Sequence, residues 1–257
     1  GINRRDGRTE RYESSQYPLN QINDIPGSGS VDMNTHTSML TENTLTYDKQ
    51  FNDRHQLTLL GGITLQREQS DANITSSSNT LTDLLSVYGL GLSSPEFTNV
   101  DVNYDAFSLI SFIGRANYIF NAKYLFTLTA RRDGSSKFGT NNRYAFFLAV
   151  AFGWRLSDEA FIKNMNVFDF LKLRLSYGKS GNSNGINSFQ RFQALETVFA
   201  TLGRGVRDVG VINNTLANED LRWETTSQYD AGIEAGFFDG RLNFEIDFFY
   251  SVTEDLL

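Results

Sequence analysis

Apolar and polar residues alternate with a period of two in one segment after another. That is the mark of strands whose two faces meet different surroundings. Residues 171–177 alternate strictly, with Leu171, Leu173, Leu175 and Tyr177 set against Lys172, Arg174 and Ser176. Residues 242–248 do the same. In 124–131 one face carries Tyr124, Phe126, Leu128 and Ala130, and the other carries Thr127, Thr129 and Arg131. Residues 144–154 set large rings and aliphatics (Tyr144, Phe146, Leu148, Val150, Phe152, Trp154) against a mostly small face. Residues 56–68 and 110–120 complete six well-marked strands. Two more are predicted at 37–49, which is polar and Thr-rich, and at 225–237. One short helix is predicted at 158–163, with Ser157 as its cap and Asp158 and Glu159 near its positive end.

The links between these strands alternate in length. Short ones (50–54, 121–123, 156–167, 238–241) are each followed by a long one (70–104, 132–142, 178–223), or by the chain end. An up-and-down sheet with tight turns at one rim and long loops at the other produces that order, as in outer-membrane barrels. Strands of roughly 10 to 14 residues also suit the ~9–11 that cross a bilayer at a tilt. A soluble β-sandwich alternates too, but its strands are usually shorter, about 5–6 residues. Rings gather beside the turns: Tyr118, Phe120 and Tyr124 at Asn121; Trp154, Phe161, Phe168 and Phe170 at the helical link; Phe237 and Phe238 before Asp239-Gly240. At the ends of outward faces they would form an interfacial girdle; under turns they would be core.

Composition agrees with a sheet that is wet on one side. Aromatics are 13% while the mean hydropathy is −0.35. No apolar run approaches the ~18–20 residues of a membrane-spanning helix. The net charge is −7 with no basic stripe, so nucleic acid is not an expected partner. The absence of cysteine excludes disulfides, thiolate metal sites and cysteine nucleophiles. Two histidines, His36 and His55, stand far from any G-x-S-x-G elbow, and the Gly-x-Gly pieces lack a phosphate-loop continuation. The Asp101–Asp105 stretch lacks the glycine and distal glutamate of a calcium loop. The chain therefore predicts no enzyme, no metal and no cofactor.

The polar strand faces carry more information. If the apolar faces touch lipid, then Arg115, Asn117, Arg131, Lys172, Arg174, Gln228, Asp230, Glu234, Asn243, Glu245 and Asp247 face inward. A dry interior would not tolerate so many ions, whereas a watery lumen or a polar plug would. A solvated sheet face is the alternative.

Particular residues then resemble a known family. Gly114-Arg115-Ala116-Asn117-Tyr118 precedes a strand that runs into Arg131-Arg132-Asp133-Gly134-Ser135-Ser136-Lys137-Phe138. Gly153-Trp154-Arg155-Leu156-Ser157-Asp158-Glu159, Gly181-Asn182 and Leu221-Arg222-Trp223-Glu224-Thr225-Thr226 follow in order. From about Gly114 to the end this resembles the SusC/RagA-like TonB-dependent transporters of the Bacteroidetes outer membrane. Residues 1–105 resemble them only in strand pattern, and Glu219 stands where that family commonly has Asn-Pro.

The resemblance implies an all-β, antiparallel, up-and-down transmembrane barrel of 22 strands, closed by an N-terminal plug. It implies a SusD-like surface lipoprotein over the pore, energy from TonB–ExbBD through segments outside this chain, and oligosaccharide or peptide substrates. About eight strands are expected here, so residues 1–257 read as part of a single barrel domain without the plug, an internal piece of something longer. A passive porin-like or structural barrel and a soluble sugar-binding β-domain remain as other readings.

Overall fold

The computed structural model describes residues 1–201 and 207–255. Eleven strands are present among them: β1 (Ile2–Glu13), β2 (Ser28–Asn52), β3 (His55–Ser77), β4 (Thr98–Phe120), β5 (Tyr124–Ser135), β6 (Tyr144–Arg155), β7 (Phe170–Asn182), β8 (Ala194–Thr201), β9 (Arg207–Thr215), β10 (Glu224–Phe237) and β11 (Leu242–Glu254). Nine form one sheet in the order β1-β2-β3-β4-β5-β6-β7-β10-β11, while β8 and β9 pair only with each other. All eight predicted strands are there, and the sheet follows chain order apart from the inserted hairpin.

The structure corrects the strand count and the long links. β1 is nearly all polar, so no alternation marked it; it is held by backbone pairing to β2, from Ile2↔Met39 to Glu13↔Ser28. β2, β3 and β4 have 25, 23 and 23 residues, more than twice the ~9–11 that cross a bilayer. Much of the link predicted at 70–104 is therefore strand. What remains between β3 and β4 holds two 3₁₀ segments, Asp83–Leu92 and Pro95–Phe97. The link predicted at 178–223 contains β8 and β9. The helix predicted at 158–163 is a 3₁₀ turn, Leu156–Asp158, followed by one α-helical turn, α2 (Ala160–Lys163). Glu159, not Ser157, occupies its N-cap position, and the Glu159 side chain caps nothing. A further short helix, α1 (Pro18–Asn23), had no apolar periodicity to announce it.

The chain forms two compact units. In the first, Gly1–Leu40 with Gln66–Phe107, the organising group is Asp83. Its carboxylate accepts from the Tyr12 hydroxyl (2.7 Å), the Ser14 hydroxyl (3.0 Å), and the Ser15 amide and hydroxyl (3.1 and 2.7 Å). These donors hold its pKa down at about 2, the Ser15 hydroxyl having the largest effect. Val87 and Leu90 are buried in the segment that Asp83 opens.

The second unit is Thr41–Leu65 with Ser108–Leu257. Here register decides everything, because residues directly opposite one another in an antiparallel pair point to the same side. One row runs Ala116↔Leu128↔Val150↔Tyr177↔Tyr229↔Tyr250 across β4, β5, β6, β7, β10 and β11. The next row toward the turns, Tyr118↔Phe126↔Phe152↔Leu175↔Ala231↔Phe248, is also apolar. Phe112, Phe126, Leu128, Val150 and Ile246 are each 39–49% exposed, an apolar surface that a soluble fold would have covered. The β4–β5 turn is tight, with Asn121 and Ala122 both at positive φ, as in the primed turns that match strand twist.

The buried cluster of this unit lies at the loop end of the strands. Phe138, Phe147, Ile186, Leu221 and Trp223 pack together, with Phe138 fully enclosed. The Phe138 and Trp223 rings are 4.6 Å apart, and Phe147 meets Trp223 edge-on at 5.7 Å.

Candidate functional site

The polar face of the second unit gathers most of the predicted inward residues into two groups. The first lies on β7, β10 and β11. Gly232 is opposite Arg174 on one side and Asp247 on the other. A Cβ there would come within 2.1 Å of Asp247 Oδ1 and 3.3 Å of Arg174 Nε, so only glycine leaves room for the pair to meet. Arg174 Nη2 donates to Glu245 at 2.6 Å and to both oxygens of Asp247 at 2.9 and 3.1 Å. Glu234 is 2.9 Å from Arg174 Nε as an ion pair and 3.6 Å from Lys172 Nζ. Beside them Asp230 accepts from Ser176 (3.0 Å) and from Gln228 (2.8 Å). Two cations thus face four carboxylates, leaving the group net acidic.

The second group lies on β4 and β5. Arg115 donates to Thr129 at 3.1 Å, and Thr127 donates to Asn117 at 3.0 Å. Arg131 Nε reaches both oxygens of Asp133 at 2.7 and 2.8 Å, and its Nη2 donates to Ser111 at 3.1 Å. Between the groups β6 presents Ala149, Ala151 and Gly153, opposite Thr129, Thr127 and Leu125. Small side chains there leave an open floor between two charged banks. Asn243 joins neither group. It sits by the β10–β11 turn and donates to the Gly240 carbonyl at 3.1 Å.

The motif residues are mostly framework. Gly134 lies under the Tyr144 ring, where a Cβ would be 2.3 Å from it. Ser136 exchanges two hydrogen bonds with the Ser108 backbone, at 3.0 and 2.9 Å. Ser135 is buried, and its hydroxyl accepts from the Lys137 amide at 3.3 Å. Trp223 donates to the Arg143 carbonyl at 3.2 Å, and Glu224 accepts from Asn182 at 3.1 Å. Thr225 pairs in register with Gly181 and Glu254. Arg132 points to the apolar face, its guanidinium 4.8 Å from the centre of the Tyr144 ring.

At the turn end of the same strands several of the rings predicted to flank the turns form a row together with His55. His55 and Phe120 are 4.9 Å apart, Phe120 and Tyr124 6.0 Å, and Tyr124 and Trp154 6.0 Å. Phe168 and Phe237 meet at 5.1 Å. Glu159, which the sequence suggested only as a helix-end charge, ties this row together. It accepts from the Tyr124 hydroxyl (2.7 Å), the Trp154 indole N–H (3.2 Å) and Lys123 Nζ (3.2 Å). The Tyr124 hydrogen bond, ahead of the Trp154 and Lys123 ones, holds the Glu159 carboxyl below its ordinary pKa. The available signal was a Lys-Tyr pair (Lys123-Tyr124) and Trp154, all ahead of one acidic residue in the chain, none of which periodicity weighs. Among the described residues no cluster of His, Asp and Glu could hold a metal ion.

Comparison with known proteins matches residues 3–257 to the family described as TonB dependent receptor-like, beta-barrel. TonB-dependent receptor P26 of Formosa agariphila is 34% identical over 250 residues, which is 97% of this chain and 25% of that protein. TonB-dependent receptor SusC of Bacteroides thetaiotaomicron is 38% identical over 152 residues, 58% of this chain and 15% of that one. A solved structure of the RagAB peptide transporter superposes with a TM-score of 0.87 at 28% identity, covering 100% of this chain and 28% of the matched one. The chain thus spans about a quarter of the length of these relatives, and it is a stretch of antiparallel outer-membrane barrel. It belongs to the TonB-dependent receptor-like β-barrel family.

Proposed function

We propose that these residues form part of the wall and outer loops of a receptor that imports nutrient oligosaccharides or peptides across the outer membrane. In this reading residues 1–257 are a portion of one barrel domain. The whole receptor carries a plug, works beneath a SusD-like surface lipoprotein, and draws energy from TonB–ExbBD through segments outside this chain. The apolar face of the second unit meets lipid. The polar face, with Arg115, Asn117, Arg131, Lys172, Arg174, Gln228, Asp230, Glu234, Asn243, Glu245 and Asp247, lines the lumen.

One observation carries the reading. Register places every ion of the Arg174 network on one side of the sheet, while Leu173, Ile233 and Ile246 fill the other. A bilayer on one side and water on the other ask for that division. The family membership and the likeness to the RagAB transporter support it. The test uses the whole receptor. Cysteines at Leu128 and Leu173 should take a bilayer-soluble label, and cysteines at Arg174 and Asp230 a water-soluble one. Replacing Arg174 with Met should alter uptake while the barrel still assembles. Equal labelling of both faces would reject the lumen assignment. Uptake unaffected by a missing TonB would favour a passive pore.

A further inference from the structure

We propose that Arg132, with Lys179 as a second positive charge on the same side, holds the phosphate of an anionic lipid headgroup at the loop-side rim of the apolar face. The inference rests on that face meeting lipid, as read above.

Arg132 is opposite Phe112 on β4 and Phe146 on β6, so it shares their apolar side. Lys179 follows Tyr177 by two residues on β7 and is opposite Ser227, which places it on the same side. In β4, β5, β6, β7, β10 and β11 that side carries no other cation, and its one acid is Glu254, opposite Thr225. All three charges lie at the loop ends of their strands. The turn ends carry rings instead.

Neither cation has an anionic partner among the described residues. Arg131, its neighbour in sequence, is bound to Asp133 on the polar side. Arg132 is exposed, and its guanidinium lies 4.8 Å from the centre of the Tyr144 ring. The Tyr144 ring is itself 49% exposed and Phe146 61%, so the guanidinium sits on an uncovered apolar rim.

Height along the wall fixes what surrounds it. Arg132 is eight residues beyond Tyr124 in the ring row at the turn end. At ~3.3 Å per residue and a tilt of about 40°, that climbs about 20 Å, close to the upper edge of a ~25 Å apolar band. A cation is costly at mid-bilayer and tolerated at the interface, where lipid phosphates lie. An arginine fork suits a phosphate, and a lysine adds a point charge.

The experiment uses the whole receptor, stripped of lipid in detergent and titrated with phosphatidylglycerol, with bound lipids counted by native mass spectrometry. Arg132→Gln should weaken retention about five-fold, and Arg132→Gln with Lys179→Gln by about twenty-five-fold. Arg132→Lys should restore most of the loss, and heat-modifiable migration on gels should confirm that each variant is folded. Phosphatidylcholine retention should not change. Equal phosphatidylglycerol retention by the parent and the double variant would overturn the proposal. So would displacement of the lipid by inorganic phosphate, which would mark a site for free anions. A fluorophore on Leu128→Cys, read against brominated lipid, separates the two claims. Quenching with unchanged retention defeats this site alone, whereas no quenching defeats the lipid-facing assignment and the site with it.

Discussion

The two ends of strands β4 to β7 are finished in opposite ways. At the turn end, rings on the apolar side stand in a row, and one carboxylate, Glu159, gathers their polar tips. At the loop end, rings on the polar side turn inward and bury one another around Phe138 and Trp223. On the reading that the apolar face meets lipid, the turn end places amphipathic groups where lipid gives way to water, and needs little burial to do so. The loop end must hold long connections that have no bilayer to lean on, so it builds a small core of its own. Stability at one end therefore rests on packing, and at the other on hydrogen bonds to a partly screened charge.

That difference makes the loop-end core the most sensitive place in the wall. Phe138 is 0% exposed, and its removal leaves a cavity between Trp223 and Phe147. Phe138→Ala should cost about 3–5 kcal/mol in the whole receptor. Urea unfolding of the assembled barrel would measure it, and limited proteolysis should find new cleavage in 136–142. A loss below about 1 kcal/mol would mean that the loops are held by something other than this cluster.

A second change tests the same core through the backbone. A Cβ on Gly139 would lie 2.0 Å from the Glu219 carbonyl oxygen. Backbone cannot swing aside as a flexible side chain can, so Gly139→Ala should cost about 1–3 kcal/mol by overpacking. The Asn142–Asp220 hydrogen bond, 3.1 Å in the native chain, should be lost with it. Slower exchange of backbone amides in 139–142 after the substitution would contradict this. Glu219 also stands where the resembled family commonly has Asn-Pro, and the structure gives that position a concrete task, pressing its carbonyl onto a glycine.

What could be read from the sequence follows the same division. Strands with a lipid-type face were legible because alternation is strict there. The 171–177, 225–237 and 242–248 segments all lie inside the observed β7, β10 and β11. The charged partners of Arg174 were all named, because on those strands a polar face can only be the other face. β1 and the far reaches of β2, β3 and β4 were illegible. β1 and the far parts of β2 and β3 offer few apolar positions and are held by ladder hydrogen bonds that any sequence can supply. In β4, Val100, Val102 and Tyr104 do alternate with Asn99, Asp101 and Asn103, a period masked by the loop-like Asp and Asn content. Pairings between distant segments, such as Asp83 with Tyr12 and Ser15, leave no period at all. Alternation sets Arg132 on the face opposite Arg131 only if the strand continues past 131; the link expected at 132–142 hid this, and β5 in fact runs on to Ser135.

At the turn end the expected effects are smaller. Glu159→Gln keeps the shape but removes the charge that draws the Tyr124, Trp154 and Lys123 donors together. The barrel should still assemble, with a loss below that of either loop-core change, since the side chain is 17% exposed and water can replace part of what is lost. Trp154 fluorescence is the sharper readout and should change as its indole N–H loses a charged acceptor. Unchanged Trp154 emission would show that the carboxylate does not organise the ring row.

The smallest effect near neutral pH is expected at Asp83, where comparison with Glu159 sharpens the contrast between a charge that clasps rings and one that clasps hydroxyls. The Asp83 pKa is lowered from 3.8 to about 2 by donors from Ser15, Tyr12 and Ser14. A depressed carboxyl favours the folded state only when ionised. Its contribution is complete above the ordinary value, declines as the pH falls below it, and is gone once the pH passes through about 2. Asp83→Asn should therefore loosen the Asp83–Leu92 segment near neutral pH and make no difference near pH 2. Amide hydrogen exchange over 83–92, corrected for the intrinsic rate at each pH, gives the comparison. The variant should exchange faster than the parent at neutral pH, and the two should converge in acid. A gap that persists unchanged near pH 2 would mean that shape, not charge, holds this segment to Tyr12 and Ser15.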